Sequence, residues 1–188
     1  MNASLEQYLR SLAEIAEARR SPKATVRAVE QAKGELLKRG LPLEDRVRAT
    51  NGDKHGRHLL HLDPHSGFVV IVMTWPAGGD SLPHDHGTWG TVGVLEGALQ
   101  VTTYDRMDDG CDPMRAELVP TCSLRAEQGA IASVLPPHDE YHRIENPTKE
   151  LALSMHTYGK EIASCHAYDL ESGLAQLVEP EYTSLPST

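Results

Sequence analysis

A chain of 188 residues is the size of one domain, and its formal charge of −9, with no basic stripe to offset it, excludes nucleic acid as an expected partner. No apolar run approaches the roughly 18–20 residues needed to span a bilayer, so no membrane association is expected either. Cys111, Cys122 and Cys165 lie far apart and form no CxxC, which fits reduced thiols in the cytoplasm better than a disulfide framework or a structural zinc site.

Residues 4–20 read as a helix. Ser4 and Gln7 make a capping box, and Leu5, Leu9, Leu12, Ile15 and Ala16 recur at helical spacing. This first segment contains Glu6, Glu14 and Glu17 and lacks the basic start and apolar core of a signal peptide. Ser21-Pro22 opens a second helix with Val26, Val29, Leu36 and Leu37 as its apolar stripe, and Gly40 with Pro42 ends it. After about residue 55 the pattern changes to short β-rich runs, at 58–63, 67–75, 89–95, 98–105, 115–119, 130–135, 140–145 and 151–158. Leu95-Glu96-Gly97-Ala98 reads as a hairpin turn. Strands at this spacing predict a sandwich or barrel. The expectation is one mainly-β domain over 1–188, with helices in 1–40, a β body over 55–170 and a loosely held tail at 176–188.

Histidine is over-represented, with ten residues, and imidazole is the commonest metal ligand and acid–base group. In an extended strand, residues two apart share a face, so His84 and His86 can reach one ion while Asp85 points away. A third ligand must come from another strand, and His142 is the candidate. Three neutral nitrogens on one side of a metal leave the opposite positions open. The plainer alternative for an H-x-H pair is two polar residues on a wet strand face. His58, His61 and His65 are expected on solvated strands or loops, and His138 in a loop. Trp75 and Trp89 are expected in the barrel core, and Cys165 as a small buried residue.

The flanking residues resemble the cupin superfamily. Gly78, His84, His86 and Gly97 fall on its first motif, with Gly90 where glutamate is usual. Pro137, His142 and Asn146 fall on the second, with Asp139 where glycine is usual. The resemblance implies a double-stranded β-helix (jelly-roll) barrel under an N-terminal helical cap. Ser154, His156 and Tyr158, followed by Ser164-Cys165-His166-Ala167-Tyr168-Asp169, narrow the resemblance to the thiol dioxygenases, the group of cysteine dioxygenase and 3-mercaptopropionate dioxygenase. In that group Ser, His and Tyr at alternate positions form a relay beside the iron. Arg57 matches the substrate-carboxylate anchor of cysteine dioxygenases, although His55 replaces the tyrosine common two residues earlier. Gly90 stands where animal members carry the cysteine that cross-links to the relay tyrosine, so Tyr158 is expected unmodified.

The resemblance therefore implies one Fe(2+) per chain on His84, His86 and His142, with O2 and a small thiol carboxylate as substrates and a sulfinate as product. Cysteine, 3-mercaptopropionate and mercaptosuccinate all fit that description. A dicarboxylic thiol would need a second cation, for which Arg143, His55, His58 and His61 are all open. Two rival classes are a cupin isomerase, lyase or hydrolase using zinc or manganese, and a non-catalytic ligand-binding cupin. Oligomeric state is left open.

Overall fold

The computed structural model describes residues 3–52, 54–137 and 139–186. Two helices, α1 (Ala3–Glu17) and α2 (Pro22–Arg39), and one 3-10 turn (Asp45–Arg48) precede ten strands. The strands are β1 (Gly56–Leu62), β2 (Val69–Trp75), β3 (Gly90–Glu96), β4 (Ala98–Arg106), β5 (Leu118–Glu127), β6 (Ile131–Val134), β7 (Tyr141–Glu145), β8 (Ala152–Tyr158), β9 (Cys165–Tyr168) and β10 (Ala175–Val178). Ser4 lies inside the first turn of α1 rather than at its cap, and α1 stops three residues short of the expected end. Pro22 begins α2 as expected, and Gly40 at φ 79° ends it. Among the described residues no helix is long and apolar enough to cross a membrane.

Two sheets face each other. The larger runs β1-β2-β8-β3-β6. The smaller is built from β5-β4-β7, continues through an extended segment at 80–85 and ends in β9 and β10. β2 and β8 are buried at every position because both of their faces are covered. Val69, Ile71, Met73 and Trp75 pack inward with Val94, Leu99 and Ile144. Their neighbours Val70 and Val72, with Leu153 and Met155, pack outward against Leu5, Tyr8, Leu12, Val29 and Leu36 of the helices. One sheet thus has a core on each side, and its inner face is free to carry polar residues. The result is the expected mainly-β arrangement, two facing sheets of a barrel under a helical cap.

Three sequence expectations are corrected. The turn at 95–98 exists, with Gly97 at φ 75°, but it is a corner between sheets: β3 pairs with β6 and β8, while β4 pairs with β5 and β7. A Cβ at Gly97 would lie 3.1 Å from that of Ala152, so the corner is tightly packed as well as left-handed. The run at 115–119 begins only at Leu118 and extends to Glu127, an exposed edge strand whose polar sequence and Pro120 hide it. The described part of the expected loose tail is held in place as far as Ser184. Ala175–Val178 pairs with β9, the Thr183 N–H donates to the Arg57 carbonyl at 2.7 Å, and the Leu59 N–H donates to the Ser184 carbonyl at 3.0 Å.

Candidate metal centre

His84 and His142 face each other across an antiparallel bridge, with the His84 N–H donating to the His142 carbonyl at 3.1 Å. Directly paired residues put their side chains on one face, and His86 joins them two positions along. The three ring centroids lie 4.7–4.8 Å apart, and one ligand atom from each residue lies within 4.8 Å of the others. Asp85 points the other way. Its carboxylate accepts from the His166 backbone N–H at 2.8 Å and the Tyr168 hydroxyl at 3.0 Å, and lies 2.8 Å from His166 Nδ1. That contact ties the ligand segment to β9.

Hydrogen bonds select the tautomers. His84 Nδ1 meets the Leu82 carbonyl at 2.9 Å, and His86 Nδ1 meets the Glu140 carbonyl at 3.1 Å. A carbonyl only accepts, so each Nδ1 carries the proton and each Nε2 presents a lone pair. Nε2 of His86 and Nε2 of His142 are fully buried without a hydrogen-bond partner. Buried polar atoms are rarely left this way, and an ion between the rings satisfies both. Burial lowers the pKa of all three histidines, so they stay neutral, as ligands must be. The donor set fits a divalent metal.

The relay lies on the opposing sheet. Ser154 Oγ is 2.8 Å from His156 Nε2, and His156 Nδ1 is 2.9 Å from the Tyr158 hydroxyl. All three residues are buried. Trp75 adds a member that sequence reasoning assigned only to the core: its Nε1 donates to Ser154 Oγ at 2.8 Å. An indole N–H can only donate, so Ser154 accepts there and keeps its own proton and a second lone pair for His156 Nε2. In the tautomer protonated at Nδ1, His156 donates to the phenol oxygen and the Tyr158 O–H points onward. Burial lowers the pKa of His156 and raises that of Tyr158, keeping the imidazole neutral and the phenol protonated. The Tyr158 and His86 rings lie 5.9 Å apart, which brings the end of the relay beside the ligands.

Arg57 is buried on the inner face of β1, close enough for its charge to act on Tyr158. Its guanidinium donates to the Pro180 carbonyl at 2.6 Å and the Ile162 carbonyl at 3.4 Å, and sits 4.4 Å from the centre of the Tyr182 ring. The Tyr182 hydroxyl is in turn anchored on Glu161 at 2.9 Å. No acidic side chain pairs with Arg57 among the described residues. The C-terminal strap that supplies Pro180 and Tyr182 was missed from sequence because no local signal ties it to β1.

The other candidates separate by face. His55 lies on the inner side against Trp75, with ring centroids 5.0 Å apart. His58 is on the outer side and buried, not solvated, with its ring nitrogens 2.8 Å from Ser184 Oγ and 2.9 Å from the Ala49 carbonyl. A bulge between Leu59 and His61 turns His61 outward as well. Arg143 is paired with Asp80 at 2.5 Å and Glu145 at 3.2 Å, away from the ligands. His65 is exposed in a turn, and His138 lies outside the described residues. Trp89 packs edge-on against Phe68, in the outer core. Cys165 is half-buried beside Arg57, with its thiol pushed up to about 11 by burial. An apolar cleft of about 420 Å3, lined by Val92, Val94, Leu99 and Ile144, reaches His142.

Residues 44–171 match the family model described as cysteine dioxygenase type I. Cysteine dioxygenase type 1 of Rattus norvegicus and of Mus musculus are each 31% identical over 108 residues, a match covering 56% of this chain and 52% of the relative. The chain thus spans about half the length of these relatives. Among solved structures, the Schizosaccharomyces pombe Cnp3 cupin domain aligns with a TM-score of 0.42 at 19% identity, over 57% of this chain and 61% of its own. A Klebsiella pneumoniae protein with a double-stranded β-helix domain aligns at 0.45 and 19% identity, over 76% and 97%. The family match covers the larger part of the chain, including all three ligands and the relay strand: the chain belongs to the cysteine dioxygenase type I family.

Proposed function

We propose that this protein is a non-haem iron(II) thiol dioxygenase of the reducing cytoplasm. It holds one Fe(2+) per chain on His84, His86 and His142 and converts a small thiol carboxylate to its sulfinate with O2. The reaction balances as thiolate plus O2 giving sulfinate, with both oxygen atoms ending on sulfur, which loses four electrons. The observation that carries the reading is the pairing of three neutral imidazoles with the donor end of the Trp75-Ser154-His156-Tyr158 chain, 5.9 Å away at His86 and Tyr158. Bound iron(II) would supply the oxygen chemistry, drawing sulfur and O2 together and carrying electrons between them.

The chain's own residues do the rest. Arg57 binds the substrate carboxylate. A buried guanidinium without an acidic partner is costly, and an incoming carboxylate provides the missing counter-charge through charge-assisted hydrogen bonds. Tyr182 and the Pro180 carbonyl keep that guanidinium in one orientation. Tyr158 offers its O–H to the reacting atoms, and the residues behind it stop the proton from turning back into the relay. The apolar cleft at His142 suits O2, which is itself apolar.

Oxygen uptake by the Fe(II)-loaded chain, with cysteine, 3-mercaptopropionate and mercaptosuccinate in turn, tests the proposal. Uptake matched by sulfinate formation supports it. Turnover of the zinc-loaded chain, with none by the iron form, would replace it with Lewis-acid chemistry.

A further inference from the structure

We infer that Glu140 is a positioning residue for His86. Its carboxylate supplies a negative charge that tightens the hold of the three-histidine site on Fe(II) and lowers the potential of the bound iron. The inference rests on reading that site as an iron(II) centre, and it adds a residue that belongs to neither the ligands nor the relay. Glu140 is half-buried and stands one residue before β7 and two before His142. Leu135 and Asp139 exchange backbone hydrogen bonds at 2.7 and 3.3 Å, closing the turn that delivers it there.

Glu140 grips His86 at both ends. Its carbonyl accepts from the imidazole Nδ1–H at 3.1 Å. Its Oε1 accepts from the backbone N–H of His86 at 3.2 Å and from that of Gly87 at 2.7 Å. Gly87 lies in the left-handed region at φ 59°, and this conformation turns two successive N–H groups toward one oxygen, the arrangement that binds an anion. One residue thus fixes both the ring and the backbone of this ligand. His84 is held more locally, by the Leu82 carbonyl of its own segment.

Charge gives the grip a second consequence. Three neutral imidazoles leave a divalent ion with its full charge, and Gly90 stands where a glutamate ligand would reduce it. Asp85 turns its carboxylate away, onto His166 and Tyr168. The Glu140 carboxylate instead holds the peptide N–H of a ligand, so its charge acts on the imidazole and on the ion behind it. The bond at Nδ1 also makes Nε2 the better donor to a metal. A negative charge outside the ligands attracts Fe(III) more than Fe(II), which lowers the potential. Closing the turn alone would need the two hydrogen bonds and not the charge.

Two substitutions in the full chain separate the charge from the turn, without turnover. Glu140→Gln keeps an oxygen for both N–H groups and removes only the charge, whereas Glu140→Ala removes both. Fe(II) affinity is read by anaerobic competition with a chelator, and the Fe(III)/Fe(II) potential by redox titration of the substrate-free loaded protein. Circular dichroism and melting of the metal-free chain report folding. Glu140→Gln should melt with wild type and bind Fe(II) about 10-fold more weakly. Its iron should sit at a higher potential, by about 59 mV for each tenfold by which the charge favours Fe(III) over Fe(II). Glu140→Ala should lose up to about 100-fold in affinity and also melt lower. Wild-type affinity and potential in folded Glu140→Gln would reduce Glu140 to closing the turn and overturn the inference. A wild type that holds no Fe(II) overturns the iron reading instead, so the two failures are distinct.

Discussion

The Trp75 indole N–H lies 2.8 Å from the Ser154 hydroxyl, and this contact joins the indole to the Ser154-His156-Tyr158 chain. Because Trp75 cannot accept, it always occupies one lone pair of Ser154, which favours the arrangement in which each proton points on toward Tyr158. Ser154→Ala leaves two buried groups unpaired, the indole N–H and His156 Nε2. It should cost about 1–3 kcal/mol of stability per group and lower kcat with little change in KM. Trp75→Phe keeps the aromatic volume and frees the relay to reverse, so kcat should fall while iron content holds. Thermal unfolding and steady-state kinetics check both variants. Unaltered kcat in Trp75→Phe would reduce the indole to packing.

Tyr158→Phe removes one hydroxyl and almost no volume. Folding and iron content should survive, while kcat falls by about one to three orders of magnitude, or roughly 2–4 kcal/mol of lost stabilisation at the reacting atoms. A rate equal to wild type would remove Tyr158 from the chemistry.

Gly90 is fitted to Tyr158. A Cβ added there would lie 2.7 Å from Tyr158 Cδ1 and 3.2 Å from Val134 Cγ2. Gly90→Ala should push the phenol off its line, costing about 1–3 kcal/mol of stability and lowering kcat, with iron still bound. Intact-mass analysis of the wild type should show no thioether on Tyr158, since Gly90 has no sulfur to give. An active, equally stable Gly90→Ala protein would show that the ring has room to move.

How much of this could be read from the chain follows from the range of the interactions. His84 and His86 are two residues apart and the relay spans five, so strand alternation was enough to align each set. The outward turn of Asp85 was legible for the same reason, whereas Arg57 was legible only through the resemblance to the cysteine dioxygenases. The bulge that turns His61 outward has no sequence mark, because register is set by pairing with β2. Lys33 reads as a break in the apolar stripe of α2. It is nevertheless fully buried and donates to the carbonyls of Thr91 at 2.7 Å and Met155 at 2.9 Å, so the helix is tied to the back of the relay strand. The Tyr182 strap meets β1 across most of the chain, and β9 and β10 are four-residue strands too short for alternation to mark.

Arg57→Ala should raise KM for thiol acids by about 10- to 150-fold, the worth of a charge-assisted bidentate contact. Cysteamine, which has the thiol but no carboxylate, should be a poor substrate and change less. Tyr182→Leu removes the ring over the guanidinium and should shift KM in the same direction by a smaller factor. Equal KM values across wild type and both variants would mean that the carboxylate is read elsewhere.

Isotope tracing tests the central claim most directly. The Fe(II)-loaded protein is given a thiol acid under 18O2 in ordinary water, and the product is weighed by mass spectrometry. Two labelled oxygens in one sulfinate are expected, with the signal lost in His84→Ala, His86→Ala or His142→Ala because too few ligands remain to hold iron. A product carrying one labelled oxygen or none, or a disulfide in place of the sulfinate, would contradict the account.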